Sequence, residues 1–397
     1  MAKGSVWKLF ALAVIEALAL VAAFGAGLGA AQVFPLSNLA TARGIKLDIF
    51  WEAWRLVEQD FVGSLPSPQA RVYGATRGML ATLNDPYTTL VEPQQHQREK
   101  EDLQGSFGGI GVTMSRNAQG EVILVPLADS PAIRTGVLDG DVLVAVNGKT
   151  ISATMSFDDI AAAVRGPVGT PVTISVRRGG SDSLLSFTIT RAVIQMPSVT
   201  FHILDNAPQI GYIALNRFTE RSGDEVQRAA QELQQKGARQ LVLDLRDNGG
   251  GLLTAAIDVS SQFLSEGVVL YEQQKGQPER TFRTKPGGAA LDAPLVILIN
   301  RGTASASEIV AGALRDHGRA ILIGEQTYGK GSVQHIYDLS DGSSLHVTAA
   351  EWFTPSRHQL TGHGLAPDVA AALSDEDIAA GRDPQLDRAV AYLQNKQ

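Results

Sequence analysis

PLVILINRGTASASEIVAGALRDHG runs from Pro294 to Gly318, and AILIGEQTYGKGSVQ follows from Ala320 to Gln334. Each opens as a continuous apolar run of strand length and then breaks into glycine and other small residues. Strands without polar alternation are covered on both faces, the habit of the parallel sheet in an α/β core. Ser305 lies in the first small-residue stretch and Lys330 in the second, 25 positions later (330 − 305). A serine hydroxyl becomes a nucleophile only when a base takes its proton. Lysine can be that base once burial lowers its pKa from about 10.4 to roughly 7–8. Gly329, Gly331, Ser332 and Val333 bring no charge to Lys330, the setting such a shift needs. The chain has no cysteine, which excludes thiol nucleophiles, disulfides and thiolate metal sites. No histidines stand in a helical metal spacing, so neither a metal nor a cofactor is expected.

Each of these residues also has a plainer reading. Ser305-Ala-Ser-Glu308 fits a capping box, with Ser as N-cap and Glu at N3. The two roles are compatible, because a helix N-terminus favours developing negative charge. Thr303 and Ser307 are rival hydroxyls that spacing alone does not exclude. Gly324-x4-Gly329-Lys330 nearly matches a P-loop, but Gly331 replaces the magnesium-binding hydroxyl and Val333 to Leu339 alternates like a strand. Nucleotide binding is rejected. Five of the seven histidines lie between His317 and His363 and read as exposed or internally satisfied.

Outward from this centre, IGYIALN, a polar helix near Gly223 to Lys236, QLVLDLR and a helix from Leu253 to Leu264 continue the strand–helix alternation. Asp244-Leu-Arg-Asp-Asn-Gly-Gly-Gly251 closes a buried strand. Successive glycine amides there can hold an oxyanion, although an isolated glycine triplet is more often a tight turn. Arg246 and Asp247 read as partners of each other or of neighbouring segments. From Gly105 to about Arg191 short β runs alternate with glycine turns, with one clear helix from Phe157 to Val164. Ile49, Phe50, Trp54, Val57 and Phe61 fall at helical spacing, as do Met79, Leu80 and Leu83 before Asn84-Asp85-Pro86. His96 to Asp102 is a charged stretch. Near the end Asp383 caps and Pro384 starts a short helix. Lys3 and Lys8 precede an apolar segment from Leu9 to Phe34 that suits a membrane span, with cleavage also open at Gly29 to Ala31. Either way the chain is expected to be exported. At 397 residues there is room for two or three domains, and a net charge of −7 argues against nucleic acid.

Gly105-Ser-Phe-Gly-Gly-Ile-Gly-Val112, Ser130-Pro-Ala132 and the Gly140 to Gly148 turn resemble a PDZ domain of the bacterial protease type. Backbone amides of Phe107, Gly108, Gly109, Ile110, Gly111 and Val112 can hold a peptide carboxylate, and the following strand can accept a peptide strand. Together with NDPYT at 84–88, VRGPVGT at 164–170, DLRDNGGG, GTASASE, YGKGSVQ and GHGLAPD at 362–368, the chain resembles the carboxyl-terminal processing, or tail-specific, proteases. The resemblance covers nearly everything after the apolar segment. It implies an α+β multidomain chain: an N-terminal anchor or signal (1–34), a helical region (35–104), a PDZ domain (105–195), an α/β protease core of the crotonase or Clp-protease kind (196–371) and a helical tail (372–397). It implies Ser305 as nucleophile, Lys330 as general base and Gln334 as the residue orienting the lysine. The oxyanion hole would come from the amides of Ala306 and of Gly250 or a neighbouring glycine, and Arg165 would link peptide binding to catalysis. One departure is Gly249, where relatives often carry proline or serine. The expected partners are polypeptides with free C-terminal tails, the membrane and a second copy of the chain. The setting is the outer face of a bacterial plasma membrane, or the periplasm or exterior if the segment is cleaved. The competing readings are an inactive PDZ-bearing adaptor and a Ser–His acyl hydrolase.

Overall fold

The structure is a computed structural model describing residues 46–181 and 183–395. The expected membrane segment lies outside these residues. Among the described residues no helix is long and apolar enough to cross a membrane. The chain parts after Ala75 into two compact units. In the first, α1 (Asp48–Asp60) forms where the apolar spacing places it, yet none of its residues is buried; Ile49 is 81% exposed. Glu58 accepts hydrogen bonds from the Trp54 indole at 2.9 Å and the Arg71 guanidinium at 2.7 Å. α2 (Pro68–Ala81) spans the parting and ends just before Asn84, whose φ of +52° carries no helix further.

The second unit begins with β1 (Thr89–Val91) and α3 (Pro93–Gln104). The charged stretch at His96 is thus part of a helix. It has no apolar stripe for periodicity to detect. What stabilises it is local: Pro93 in the first turn, Gly105 as a left-handed C-cap at φ +68°, and Gln95–Glu99 and Gln97–Glu101 bonds of 2.9 Å each.

A β-rich block follows: β2 (Ser106–Gly109), β3 (Val112–Arg116), β4 (Val122–Pro126), α4 (Pro131–Thr135), β5 (Asp141–Val146), β6 (Lys149–Thr150), α5 (Phe157–Val164), β7 (Pro171–Arg177), β8 (Leu184–Thr190) and β9 (Ala192–Gln195). Its main sheet runs β3-β4-β5-β7-β8, with β6 on β5, and among the described residues leaves one edge of β3 unpaired. Val122, Leu124, Ile160, Ile174 and Ile189 fill a core of its own. The segment read as a glycine loop divides here. Phe107, Gly108 and Gly109 lie in β2, which pairs with β9, and the loop proper is Ile110-Gly111. Gly108 is needed for approach, since a Cβ there would sit 2.0 Å from the Gly166 carbonyl.

The remainder holds β10 (Val199–Leu204), β11 (Ala207–Leu215), α6 (Ser222–Gln235), β12 (Gln240–Asp244), α7 (Leu253–Phe263), β13 (Val268–Gln274), β14 (Arg280–Arg283), β15 (Leu295–Ile299), α8 (Ala306–Asp316), β16 (Ala320–Gly324), β17 (Ser332–Asp338), β18 (Ser344–Phe353), β19 (Val369–Ala370), α9 (Asp375–Ala379) and α10 (Pro384–Gln394). β10-β11-β12-β15-β16-β19 form one sheet, parallel except between β10 and β11. Leu243, Ile297 and Leu322 point into the core shared with α6, α7 and α8, and Val242, Leu298 and Ile323 into the core shared with α10. Every residue of β12 and β15 is buried, which is why their sequences show no alternation. β18 is the spine of a second sheet, flanked by β17, β1 and β13. Asp383 caps α10 through Leu386 N–H, as expected.

Candidate active site

β15 carries the chain to Ser305, the N-cap of α8, held at φ +58° and ψ −117°. A non-glycine residue in that region is strained, and such strain gathers at functional positions. Of the three candidate hydroxyls, Thr303 donates to the Leu245 carbonyl at 2.8 Å and Ser307 to the Asn248 carbonyl at 2.8 Å, both fully buried. Ser305 instead lines a cleft of about 550 Å³, together with Lys330, Gln334 and Gly249 to Gly251. Burial lowers the pKa of Lys330 from its ordinary value, and among the described residues no salt bridge pairs its ammonium. Its Nζ lies 5.1 Å from the centre of the Tyr87 ring. Tyr87 belongs to the NDPYT motif, which the sequence offered without a role. Asp85 folds that turn by accepting from Tyr87 N–H at 3.1 Å and Thr88 Oγ1 at 2.6 Å.

Glu308 is the residue that joins the two candidates. The capping box exists in outline, but only the half supplied by Glu308 meets hydrogen-bond geometry: Oε2 accepts from Ser305 N–H at 2.9 Å. The same oxygen accepts from Lys330 N–H at 2.9 Å, while Oε1 accepts from Gly329 N–H at 2.8 Å and from the Thr327 hydroxyl. One fully buried carboxylate therefore ties the serine turn to the lysine loop. The GHGLAPD motif clamps that loop from its other side, through Gly362 N–H to the Gly329 carbonyl at 3.0 Å and Leu365 N–H to Thr327 Oγ1 at 2.7 Å.

The glycine turn after β12 touches the serine directly. A Cβ on Gly250, at φ +99°, would lie 2.9 Å from Ser305 Cβ, Ala306 N and the Ala304 carbonyl; one on Gly249 would meet nothing within 4 Å. The departure at Gly249 is therefore sterically neutral. Gly250→Ala should reduce kcat by about 10²-fold or more, since displacement near 1 Å at a reacting centre costs that much, whereas Gly249→Ala should stay near wild type. Comparable kcat for the two variants would place the turn outside the catalytic machinery. The Gly250 amide is engaged, donating to Asn248 Oδ1 at 2.9 Å. Asn248, fully buried, also donates to the Leu215 carbonyl at 2.6 Å.

Gln334 stands differently from the sequence reading, and Arg246 and Asp247 take the second of their two expected partnerships, with neighbouring segments. Gln334 lines the cleft, but its amide donates to Ser332 at 2.8 Å and Thr348 at 3.4 Å; no hydrogen bond among the described residues joins it to Lys330. Arg246 does not pair with Asp247. It reaches Asp244 at 2.6 Å and Asp383 at 2.8 Å, fastening α10 to the end of β12, while Asp247 bonds Asn300 at 2.9 Å. His346 lies in the cleft wall, and burial lowers its pKa.

In the β-rich block, Phe107, Ile110, Gly111, Val112, Val164 and Arg165 line a cavity of about 120 Å³ between α5 and β3. Gly111 takes φ +72°, and a Cβ there would sit 2.5 Å from that of Ser130, which caps α4. The Arg165 guanidinium stacks 4.0 Å from the Phe107 ring and lies 3.9 Å from Glu101 on α3.

A serine-type hydrolase with a PDZ domain beside its catalytic sheet is the class this architecture defines. The profile of peptidase family S41 matches residues 209–371, and that of a PDZ domain matches residues 122–178. The carboxyl-terminal-processing protease of Synechocystis sp. is 37% identical over 347 residues, covering 86% of this chain and 81% of its own. A carboxy-terminal processing protease of Bacillus subtilis is 34% identical over 333 residues, covering 83% and 70%. The solved photosystem II D1 C-terminal processing protease is 31% identical, with 80% of this chain and 86% of that chain covered and a TM-score of 0.47. The chain belongs to the carboxyl-terminal-processing proteases of peptidase family S41. It is a C-terminal processing serine protease with a PDZ domain.

Proposed function

We propose that Ser305 attacks the scissile carbonyl while neutral Lys330 takes its proton and passes it to the leaving amine, water then releasing the acyl group. The observation that carries this reading is that a strained serine and a desolvated lysine, stapled through Glu308, open into one cleft. Ala306 N–H, at the start of α8, and Gly250 N–H, once freed from Asn248, are the proposed oxyanion donors. Gln334 steadies this wall through Ser332 and turns to Lys330 when substrate is bound. Lys330→Arg tests the base directly, because arginine does not deprotonate in proteins; an active arginine variant would reduce the lysine to a fixed charge. The presence of His346 in the cleft keeps a Ser–His reading testable. His346→Ala losing the activity that Lys330→Ala retains would transfer the role to the histidine.

Residues 105–195 are proposed as the PDZ domain, 196–371 as the catalytic core, 35–104 as the helical region and 372–397 as the helical tail. The substrate tail adds to the free edge of β3, its carboxylate held at Ile110 to Val112 and its last side chain in the apolar cavity. Arg165 relays occupancy through Phe107 and Glu101 to α3, whose Glu99 and Leu103 line the cleft. Amidating the C-terminus of a substrate peptide should weaken binding and slow cleavage at an unchanged internal site, by about tenfold for a lost charge-assisted contact near 1.5 kcal/mol. Arg165→Ala should lower kcat more than tail affinity. Equal cleavage of amidated and free-tailed peptides would leave the domain as a lid. Residues 1–34 are proposed to export the chain and anchor it outward or be cleaved. The apolar face of α1 is proposed to meet a second copy.

A further inference from the structure

α3 carries His96 and Glu99 one turn apart on a single face. β18 brings His346 to the same spot, its Nε2 3.5 Å from Glu99 Oε2. One donor atom from each of His96, Glu99 and His346 lies within 4.8 Å of the other two. On β17, Asp338 Oδ1 sits 2.8 Å from His96 Nε2. His346 Nε2 is cut off from solvent and makes no hydrogen bond among the described residues, its nearest polar neighbour being the Glu99 carboxylate. Such orphaned groups in a folded chain call for a bound ligand or ion. Reading His96 to Asp102 only as a charged stretch left the spacing unused; on a helix it is an imidazole and a carboxylate aimed together.

We propose that His96, Glu99 and His346 hold a divalent transition ion of the zinc type, with Asp338 supplying the fourth ligand. Two imidazoles and two carboxylates suit zinc in a tetrahedral site and do not suit magnesium or calcium, which take oxygen alone. Metal–nitrogen bonds of about 2.0–2.1 Å place tetrahedral donors about 3.3 Å apart. The present spread closes to that by side-chain rotation, since His96, Glu99 and Asp338 all reach solvent. Glu99 and His346 are walls of the catalytic cleft. His346 stands two residues before Thr348 on the same face of β18, about 7 Å along the strand, and Thr348 bonds Gln334. A bound ion therefore narrows the cleft and pins α3 to the β17–β18 hairpin, and cleavage slows. The ion site itself does not depend on which residue is the nucleophile.

The test uses the tag-free full chain, stripped with EDTA and titrated with zinc chloride calorimetrically. One equivalent should bind at micromolar concentration or below, and zinc K-edge absorption should show two imidazoles with oxygen ligands. His96→Ala, and separately Asp338→Asn at an exposed position, should weaken binding at least tenfold and remove the zinc-induced rise in Tm, while magnesium has no effect. Wild-type cleavage should slow with zinc and recover with EDTA; metal-free His96→Ala should cleave at the wild-type rate and ignore zinc. Equal zinc affinity in wild type and His96→Ala/Asp338→Asn would mean an adventitious ion only and overturn the site. Site-specific binding with unchanged cleavage would keep the site and overturn its effect on catalysis.

Discussion

Ser305→Ala and Lys330→Ala should each reduce cleavage of an unstructured protein by on the order of 10⁴–10⁶-fold, because nucleophile and base act as a unit. The fold should survive, as neither side chain fills the cores above and below the catalytic sheet. Circular dichroism of both variants alongside single-turnover kinetics checks the two halves together. The pH dependence follows from burial of Lys330. Its lowered pKa means that the neutral form, which alone accepts the serine proton, is populated at a lower pH than in an exposed lysine. If Lys330 is the base, activity should be low in acid, rise with pH through the lowered lysine pKa and then level off. kcat/KM against pH, which reports groups of the free enzyme, is the measurement. A limb below the ordinary histidine value of about 6.5, abolished in His346→Ala, would overturn the assignment.

Glu308→Gln is the second large effect, despite its near-identical volume. Both carboxylate oxygens are acceptors, each serving two donors. An amide offers one oxygen, so its NH₂ must face at least one buried backbone N–H whichever way it turns, Gly329 on one side or Ser305 and Lys330 on the other. At about 1–3 kcal/mol for each buried donor left unsatisfied, the variant should lose at least about 1–3 kcal/mol of stability. Release of the serine turn from the lysine loop should cost about 10²-fold in kcat under conditions where the variant is folded. Denaturant melts and kcat at low temperature separate the two losses. A destabilised variant with wild-type kcat would make Glu308 a support of the fold alone.

The parts of this molecule legible in its sequence were those with local causes. The buried runs of β12 and β15, the helix from Phe157 to Val164 and the Asp383-Pro384 start of α10 each announce themselves within a few residues. α3 did not, because its stability comes from end caps and amide–carboxylate pairs instead of an apolar stripe. Half the role of Glu308 was visible as a capping pattern; its other bonds reach residues 19 to 22 positions away, where no periodicity operates. Tyr87 was quoted within a motif, but its place beside Lys330 depends on a fold-back of more than two hundred residues.

The bond between Gly250 N–H and Asn248 Oδ1 sets a threshold on what the turn can recognise. A substrate carbonyl is a neutral amide oxygen, no better an acceptor than the asparagine it would have to displace. A tetrahedral oxyanion is better, since hydrogen bonds to charged acceptors are roughly twice as strong. If Gly250 serves the oxyanion, its donor changes hands only as the charge appears and adds nothing to the affinity for intact substrate. Asn248 then acts as a reference acceptor, against which the turn weighs the transition state and passes over the ground state.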